Sequence, residues 1–368
     1  MKAGRDLSQI ATQLKEEREA KLDYIVDTRS LEMRDDSSLL MAQRDRTDSD
    51  GYRQYAPHKV LQVTDHMHQQ IAGQTGISSA YYRRMRSEAP ELLARNVNHW
   101  FAEEPKTRMV RTLHGDARAF LSDSYRPLDN AELAEVALPL LQARGAQVRS
   151  SEITDARFYL KATVGEMQRA TKVGDVVSMG VTISNSEIGA GSLQIYPFFE
   201  TLACTNGMTV TTRDGEHDWS LTRRHIGSKQ GGSDNGNAIQ YISSEARAAE
   251  DKAFFLLARD TIAGVLSDDV FASIVDRIDA AADRPIERPI QQVVEVARER
   301  LGLRESEGDS VLDHLARGGQ MNAWGLSSAI TRTAEDVESY DRASELEKLG
   351  WKVIELPQTE WRTLAQAA

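Results

Sequence analysis

The chain has a single cysteine, Cys204, in 368 residues. One thiol closes no internal disulfide and supplies no Cys-rich zinc motif, so both a stapled secreted scaffold and a thiolate zinc centre are excluded. Such usage fits a reducing compartment, and a cytoplasmic location is expected. No run approaches the roughly 18 apolar residues that a membrane span needs. The first residues, MKAGRDLSQIATQLKEERE, are charged and carry no apolar stretch of the secretory kind, so neither a signal peptide nor a membrane partner is expected. The eight histidines show no ligand spacing. His66 and His68 stand two apart, which on a helix turns them to different sides, and His114, His217 and His225 are isolated. No metal site and no cofactor are expected. The chain also lacks the P-loop lysine spacing, the dinucleotide fingerprint and the nucleophile elbow. It has no internal repeat and no low-complexity tract.

What is present is a chain with 40% hydrophobic residues, enough for a sizeable core. Its formal net charge of −11 is unevenly spread. Residues 236–368 carry 15 basic and 24 acidic side chains, whereas residues 56–150 carry 12 basic and 10 acidic. Global acidity argues against a histone-like coat on nucleic acid and leaves room for a local basic face, because binding follows the local field. Periodicity divides the chain into four parts. Residues 1–55 read as an N-terminal helix and strand with a polar loop, and 56–106 as a helical subdomain. Residues 107–235 read as a β-rich core, and 236–368 as an acidic, mostly helical region. The fold class is α+β: a mostly antiparallel β core over about residues 107–230, flanked by helical regions at both ends. Within it, SLQIYPFFETLAC reads as a strand continuing into a helix, and KVIEL near the C-terminus as a strand.

Several stretches carry candidate chemistry. QQIAGQTGISSAYYRRM (69–85) has a helix-turn-helix pattern, with small Ala72 at the approach and Gly76 at the turn. Ile77, Tyr82 and Met85 pack the second helix inward. Ser79, Tyr81, Arg83, Arg84 and Arg86 then face outward, where arginine meets phosphates or guanine edges. An ordinary helical hairpin fits the same pattern. LSDSYRPLDN (121–130) sets Ser122, Asp123, Tyr125, Arg126 and Asn130 around Pro127, which holds Arg126 extended. Arg126 suits a bidentate phosphate or carboxylate clamp, or a buried ion pair. Asp129 or Asn130 is the expected helix cap.

SNSEIGAG (184–191) places Ser184, Asn185 and Glu187 before two glycines. A kinked hairpin fits it better than a nucleotide site. In CTNGM (204–208), the Asn206-Gly207 pair is a strong turn signal. Cys204 sits in an apolar run and is a weak nucleophile. HDWSLTRRHIGSK collects Arg223, Arg224 and Lys229 beside a glycine-rich loop, a second basic patch suited to phosphates.

RAFLSDSYRPLDN (118–130), ISNSEIGAGSLQIYPFFETLACTNGM (183–208) and NAWGLSSAITRTAEDV (322–337) together resemble the prokaryotic domain-of-unknown-function family 932 of phage and plasmid-like proteins. The likeness runs from about Asp23 to Trp361. It implies a mobile-element setting. The family's recurrent polar residues have suggested enzymatic activity, but no reaction is attached to it. Two functions are therefore expected. The first is association with single-stranded or branched DNA in replication or recombination, through Arg83, Arg84, Arg86, Arg223, Arg224 and Lys229, with self-association as a further partner. The second is an enzyme whose polar cleft takes a phosphorylated or nucleotide-like ligand. Its candidates are Ser122, Arg126, Asn130, Ser184, Asn185, Asn206 and Asn322.

Overall fold

The computed structural model describes residues 1–41, 59–202, 206–211, 220–224 and 244–365. Helix α1 (Leu7–Ala20) starts at a capping box: the Asp6 side chain accepts the Ser8 N–H, and the Gln9 side chain accepts the Asp6 N–H. Strand β1 (Lys21–Asp27) leads to β2 (Leu31–Met33), β3 (Leu39–Met41) and β4 (Lys59–Leu61), which form a small antiparallel sheet of their own. Helices α2 (Asp65–Thr75), α3 (Ser79–Glu88) and α4 (Pro90–Glu103) follow. They lead to the hairpin β5 (Thr107–Leu113) and β6 (Asp116–Ser122). Helix α5 (Asn130–Ala143) then enters the main sheet. That sheet comprises β7 (Ala146–Ile153), β8 (Phe158–Ala170), β9 (Val176–Asn185), β10 (Leu193–Thr201), β11 (Asn206–Thr209) and β12 (Leu221–Arg223). Among the described residues seven helices follow: α6 (Ser244–Val265), α7 (Asp268–Ala282), α8 (Ile290–Leu301), α9 (Glu305–Gly318), α10 (Ala323–Thr333), α11 (Tyr340–Ile354) and α12 (Gln358–Ala365). The fold is α+β, with antiparallel sheets and helices at both ends.

The β-rich stretch is divided between two sheets. The β5–β6 hairpin pairs with β1, in the order β1-β5-β6, while β7 to β11 form a meander with β12 added beside β10. Two cores result. The smaller one joins Leu39, Leu61, Met67, Ile71, Tyr82, Leu93, Val97 and Phe120. The larger one joins the main sheet to α1, α5 and the C-terminal helices, and it buries Trp324, Trp351 and Trp361 completely. Between them, Ile188 packs on Met109, Ala119 and Leu121 of the hairpin.

Strands β9 and β10 are buried at almost every position, on both faces. Ile183, Ile195 and Phe199 enter the larger core. On the opposite face, Lys161, Thr182 and Tyr196 stand in register, and Lys161 meets Glu347 of α11 with Nζ 2.7 Å from the carboxylate.

Three local expectations are corrected. SLQIYPFFETLAC is strand through Thr201, because its alternating side chains are covered on both sides of the sheet. KVIEL completes the last turn of α11 and precedes α12, because Val353 and Ile354 extend that helix's apolar stripe into the core. Asn206-Gly207 opens β11 instead of forming the turn. Gly207 is needed there for space: a Cβ would lie 2.5 Å from the Phe198 ring. Cys204, Lys229, His217, His225 and the polar loop before residue 59 lie outside the described residues.

Candidate functional site

Helices α2 and α3 are joined by a tight turn. Gly76 has φ +68°, and the Ile77 N–H returns to the Ala72 carbonyl. Ser78 caps α3 by accepting the Tyr81 N–H. His68 and Tyr82 lock the two helices together through a buried 2.9 Å contact between Nδ1 and the phenol oxygen. Burial, followed by the nearby Arg86 charge, pulls the His68 pKa down to about 4, so the imidazole is neutral at pH 7. Only Tyr82 and Met85 of α3 are buried. Its solvent face carries Ser79, Tyr81, Arg83, Arg84 and Ser87, all exposed. Arg84 pairs with Glu88 one turn on, and half-buried Arg86 pairs with Asp65 of α2 at 2.6 Å.

The SNSEIGAG stretch answers to a different constraint. It follows β9 into the seam between the two cores, where Gly189 turns the chain at φ +77°. Glu187 is the centre of this seam. Its carboxylate accepts from Lys21 Nζ at 2.7 Å, Arg118 at 2.6 Å and the Asn130 N–H at 2.7 Å. Burial alone would raise its pKa. Lys21 and then Arg118 outweigh burial and hold it at about 2. Glu187 thus caps α5 from another part of the chain. Asp129, at the cap position itself, makes no capping bond; its carboxylate serves Arg111 at 2.9 Å and Lys21 at 3.4 Å.

Arg111 is fully buried and donates to Asp23, to Asp129 and to the Glu187 carbonyl. Burial disfavours its charge, yet Asp23 and Asp129 hold its pKa above the usual arginine value. Lys21, Arg111 and Arg118 balance Asp23, Asp129 and Glu187, so this network closes on itself electrically.

The enzyme-type candidates do not converge on one cleft. Asn185 and Asn130 belong to the seam: the Asn185 amide donates to the Leu128 carbonyl and to Asn130 Oδ1. Ser184 points to the other face of β9 and meets Gln194. Ser122 meets Ser124, and Arg126 is half-buried in the loop before α5. Asn206 and Asn322 lie at α10 instead. Asn206 donates to the Ser328 carbonyl, and Asn322 caps the helix by accepting the Gly325 N–H at 2.8 Å. In the second basic patch, the Arg223 guanidinium lies 4.5 Å from the Phe254 ring centre, and Arg224 is exposed.

Sequence reasoning missed Arg111, Arg118, Lys21 and the buried Lys161–Glu347 pair. One signal was available for two of them. Arg111 in MVRTL and Lys161 in FYLKATV are single charges inside otherwise strand-like runs. A charge kept there needs a partner supplied by the fold. Comparison with known proteins finds no matching family model, no matching curated protein and no matching solved structure.

Proposed function

We propose that the protein binds double-stranded nucleic acid through α3, in the mobile-element setting that the resemblance to family 932 implies. One observation carries this reading. A helix following a three-residue glycine turn presents a continuous solvent face of Ser79, Tyr81, Arg83, Arg84 and Ser87, which no other element covers among the described residues. A second helix held at such a turn is the shape that enters a major groove. Its residue types suit that use, since arginine and serine contact phosphates and base edges. The Arg84–Glu88 pair is exposed on both sides and is worth little in water, so phosphate competes with it readily. The main sheet is a poorer platform for stacking bases, because β9 and β10 are covered on both faces. The acidic surplus lies in residues 236–368, outside the α2–α3 segment.

The test is fluorescence anisotropy with duplex and single-stranded oligonucleotides between 50 and 200 mM salt. Binding should weaken steeply with salt as counterions are released, and Arg83→Ala with Arg84→Ala should lower the salt slope by about 2. The proposal fails if the parent shows no binding at micromolar protein in low salt, or if the double variant binds duplex like the parent.

A further inference from the structure

A cavity of about 80 Å³ lies at one end of the main sheet, beside the start of β9, the end of β10 and the start of β11. Thr201 and Asn206, register partners of β10 and β11, line it from the sheet. Its other wall is one stripe of α10, formed by Gly325, Ser328, Ala329 and Arg332 at the i, i+3, i+4, i+7 spacing. Asn206 is the residue there that asks for a ligand. It is only 6% exposed. Its amide nitrogen donates to the Ser328 carbonyl at 3.3 Å, which fixes the orientation of the amide. The oxygen on its other side, Oδ1, is buried and has no hydrogen-bond partner among the described residues. A buried acceptor without a donor is costly and uncommon in folded proteins. The cavity that Asn206 lines is the available source of one.

Other groups around the same space are also incompletely answered. Asp175 accepts the Trp324 indole N–H at 2.9 Å and the Gln320 amide at 3.5 Å, both neutral and both on Oδ2, and it forms no ion pair among the described residues. The Thr201 hydroxyl forms no hydrogen bond among the described residues. Arg332 is exposed at the cavity and makes neither a hydrogen bond nor an ion pair through its guanidinium among the described residues. The carboxylate whose field it shares, Asp336, is taken by Ser310 and His314. A carboxylate, two neutral oxygens and a guanidinium thus surround one small space.

We propose that this cavity binds a small amino acid in its zwitterionic form. An ammonium group has three donors and no acceptor, which matches Asp175, Asn206 Oδ1 and the Thr201 hydroxyl. The carboxylate takes the planar fork of Arg332. A water takes about 10–15 Å³ of such a cavity, so the space holds about five to eight non-hydrogen atoms. That limits the ligand to the size of glycine, alanine or serine. A simple cation leaves Arg332 unanswered, and a simple anion leaves Asp175 and Asn206 Oδ1 unanswered.

Calorimetric titration of the full chain with glycine, free of nucleic acid, tests this independently of duplex binding by α3. Glycine should bind saturably, one per chain, and raise the melting temperature. Acetate and methylamine each carry only one of its two charges and should bind at least about tenfold more weakly. Arg332→Gln, at an exposed position, should fold like the parent and lose about tenfold or more in affinity, as loss of one charge-assisted contact requires. Asp175→Asn keeps an acceptor for the Trp324 N–H and should lose a similar factor. Absence of saturable binding by glycine, alanine and serine at millimolar concentration overturns the proposal. So does acetate or methylamine binding as tightly as glycine. Unchanged glycine affinity in either folded variant overturns it too.

Discussion

Glu187→Gln puts the seam network to the sharpest test. The side chain is 2% exposed and accepts two charged donors and one helix N-terminal N–H, all within 2.7 Å. Glutamine keeps the shape and one acceptor oxygen. It also turns an amide NH2 toward Lys21 and Arg118, which are themselves only 7% and 14% exposed. Removing one partner of a buried charged pair costs about 3–5 kcal/mol. The titration gives a second route to the magnitude. A carboxylate held from its ordinary 4.5 down to about 2 contributes about 3 kcal/mol, at about 1.4 kcal/mol per pH unit.

The sign follows from which state binds the proton first. Below pH 4.5 the unfolded chain protonates Glu187 while the folded chain still holds it ionised. Its stabilisation is therefore complete above pH 4.5 and is lost as pH falls through about 2. Urea unfolding should show the variant about 3–5 kcal/mol less stable at pH 7. The parent should also lose more stability than the variant between pH 4.5 and 2. A loss under about 1 kcal/mol at pH 7, or parallel pH profiles for parent and variant, refutes the assignment of Glu187 as the keystone of the seam.

Three further outcomes are expected. His68, held at about 4 against an ordinary 6.5, favours the fold fully above pH 6.5, and its contribution of about 3 kcal/mol fades as pH falls towards 4; an imidazole titration by NMR near 6.5 in the folded protein refutes this. Lys161→Met leaves Glu347 buried and should cost about 3–5 kcal/mol, whereas Lys161→Met with Glu347→Leu should recover most of that loss; equal denaturation midpoints for single and double variants refute the pairing. Asn322→Ala removes the α10 cap and should cost about 1 kcal/mol in chemical denaturation, and an unchanged midpoint shows that another group takes the Gly325 N–H.

Much of the architecture was legible along the chain. The 3.6-residue period, the caps at Thr64, Ser78 and Ser267, and the stop at Gly76 are local properties, and the helices begin and end where those residues stand. The strands within residues 107–122 and 147–183 were equally plain, whereas SLQIYPFFETLAC was expected to turn helical and is strand through Thr201. Which sheet each strand joins was not. TRMVRTL pairs with β1, more than 80 residues earlier, because Tyr24 and Val110 stand in register and both contribute to the smaller core. Period alone carries no information about a partner that far away. KVIEL failed for the related reason that a short apolar run fits helix or strand, and the tertiary contact of Trp351 with Phe199 goes with the helix.

The candidate site divides along the same line. The helix-turn-helix spacing and the outward Arg83 and Arg84 follow from a single segment, so the sequence by itself determined them; Arg86, expected outward with them, is half-buried against Asp65 of α2, a contact only the fold supplies. The polar asparagines looked alike in sequence and were separated by the fold: Asn185 braces the seam, while Asn322 caps a helix in the other core. The unusual density of SNSEIGAG was visible at once, but its reason was not. Glu187 is needed because Lys21, Arg118 and the first turn of α5 meet at that point. These groups come from four separated stretches of chain. A buried charge is stable only where such donors converge, and convergence is a property of tertiary structure alone.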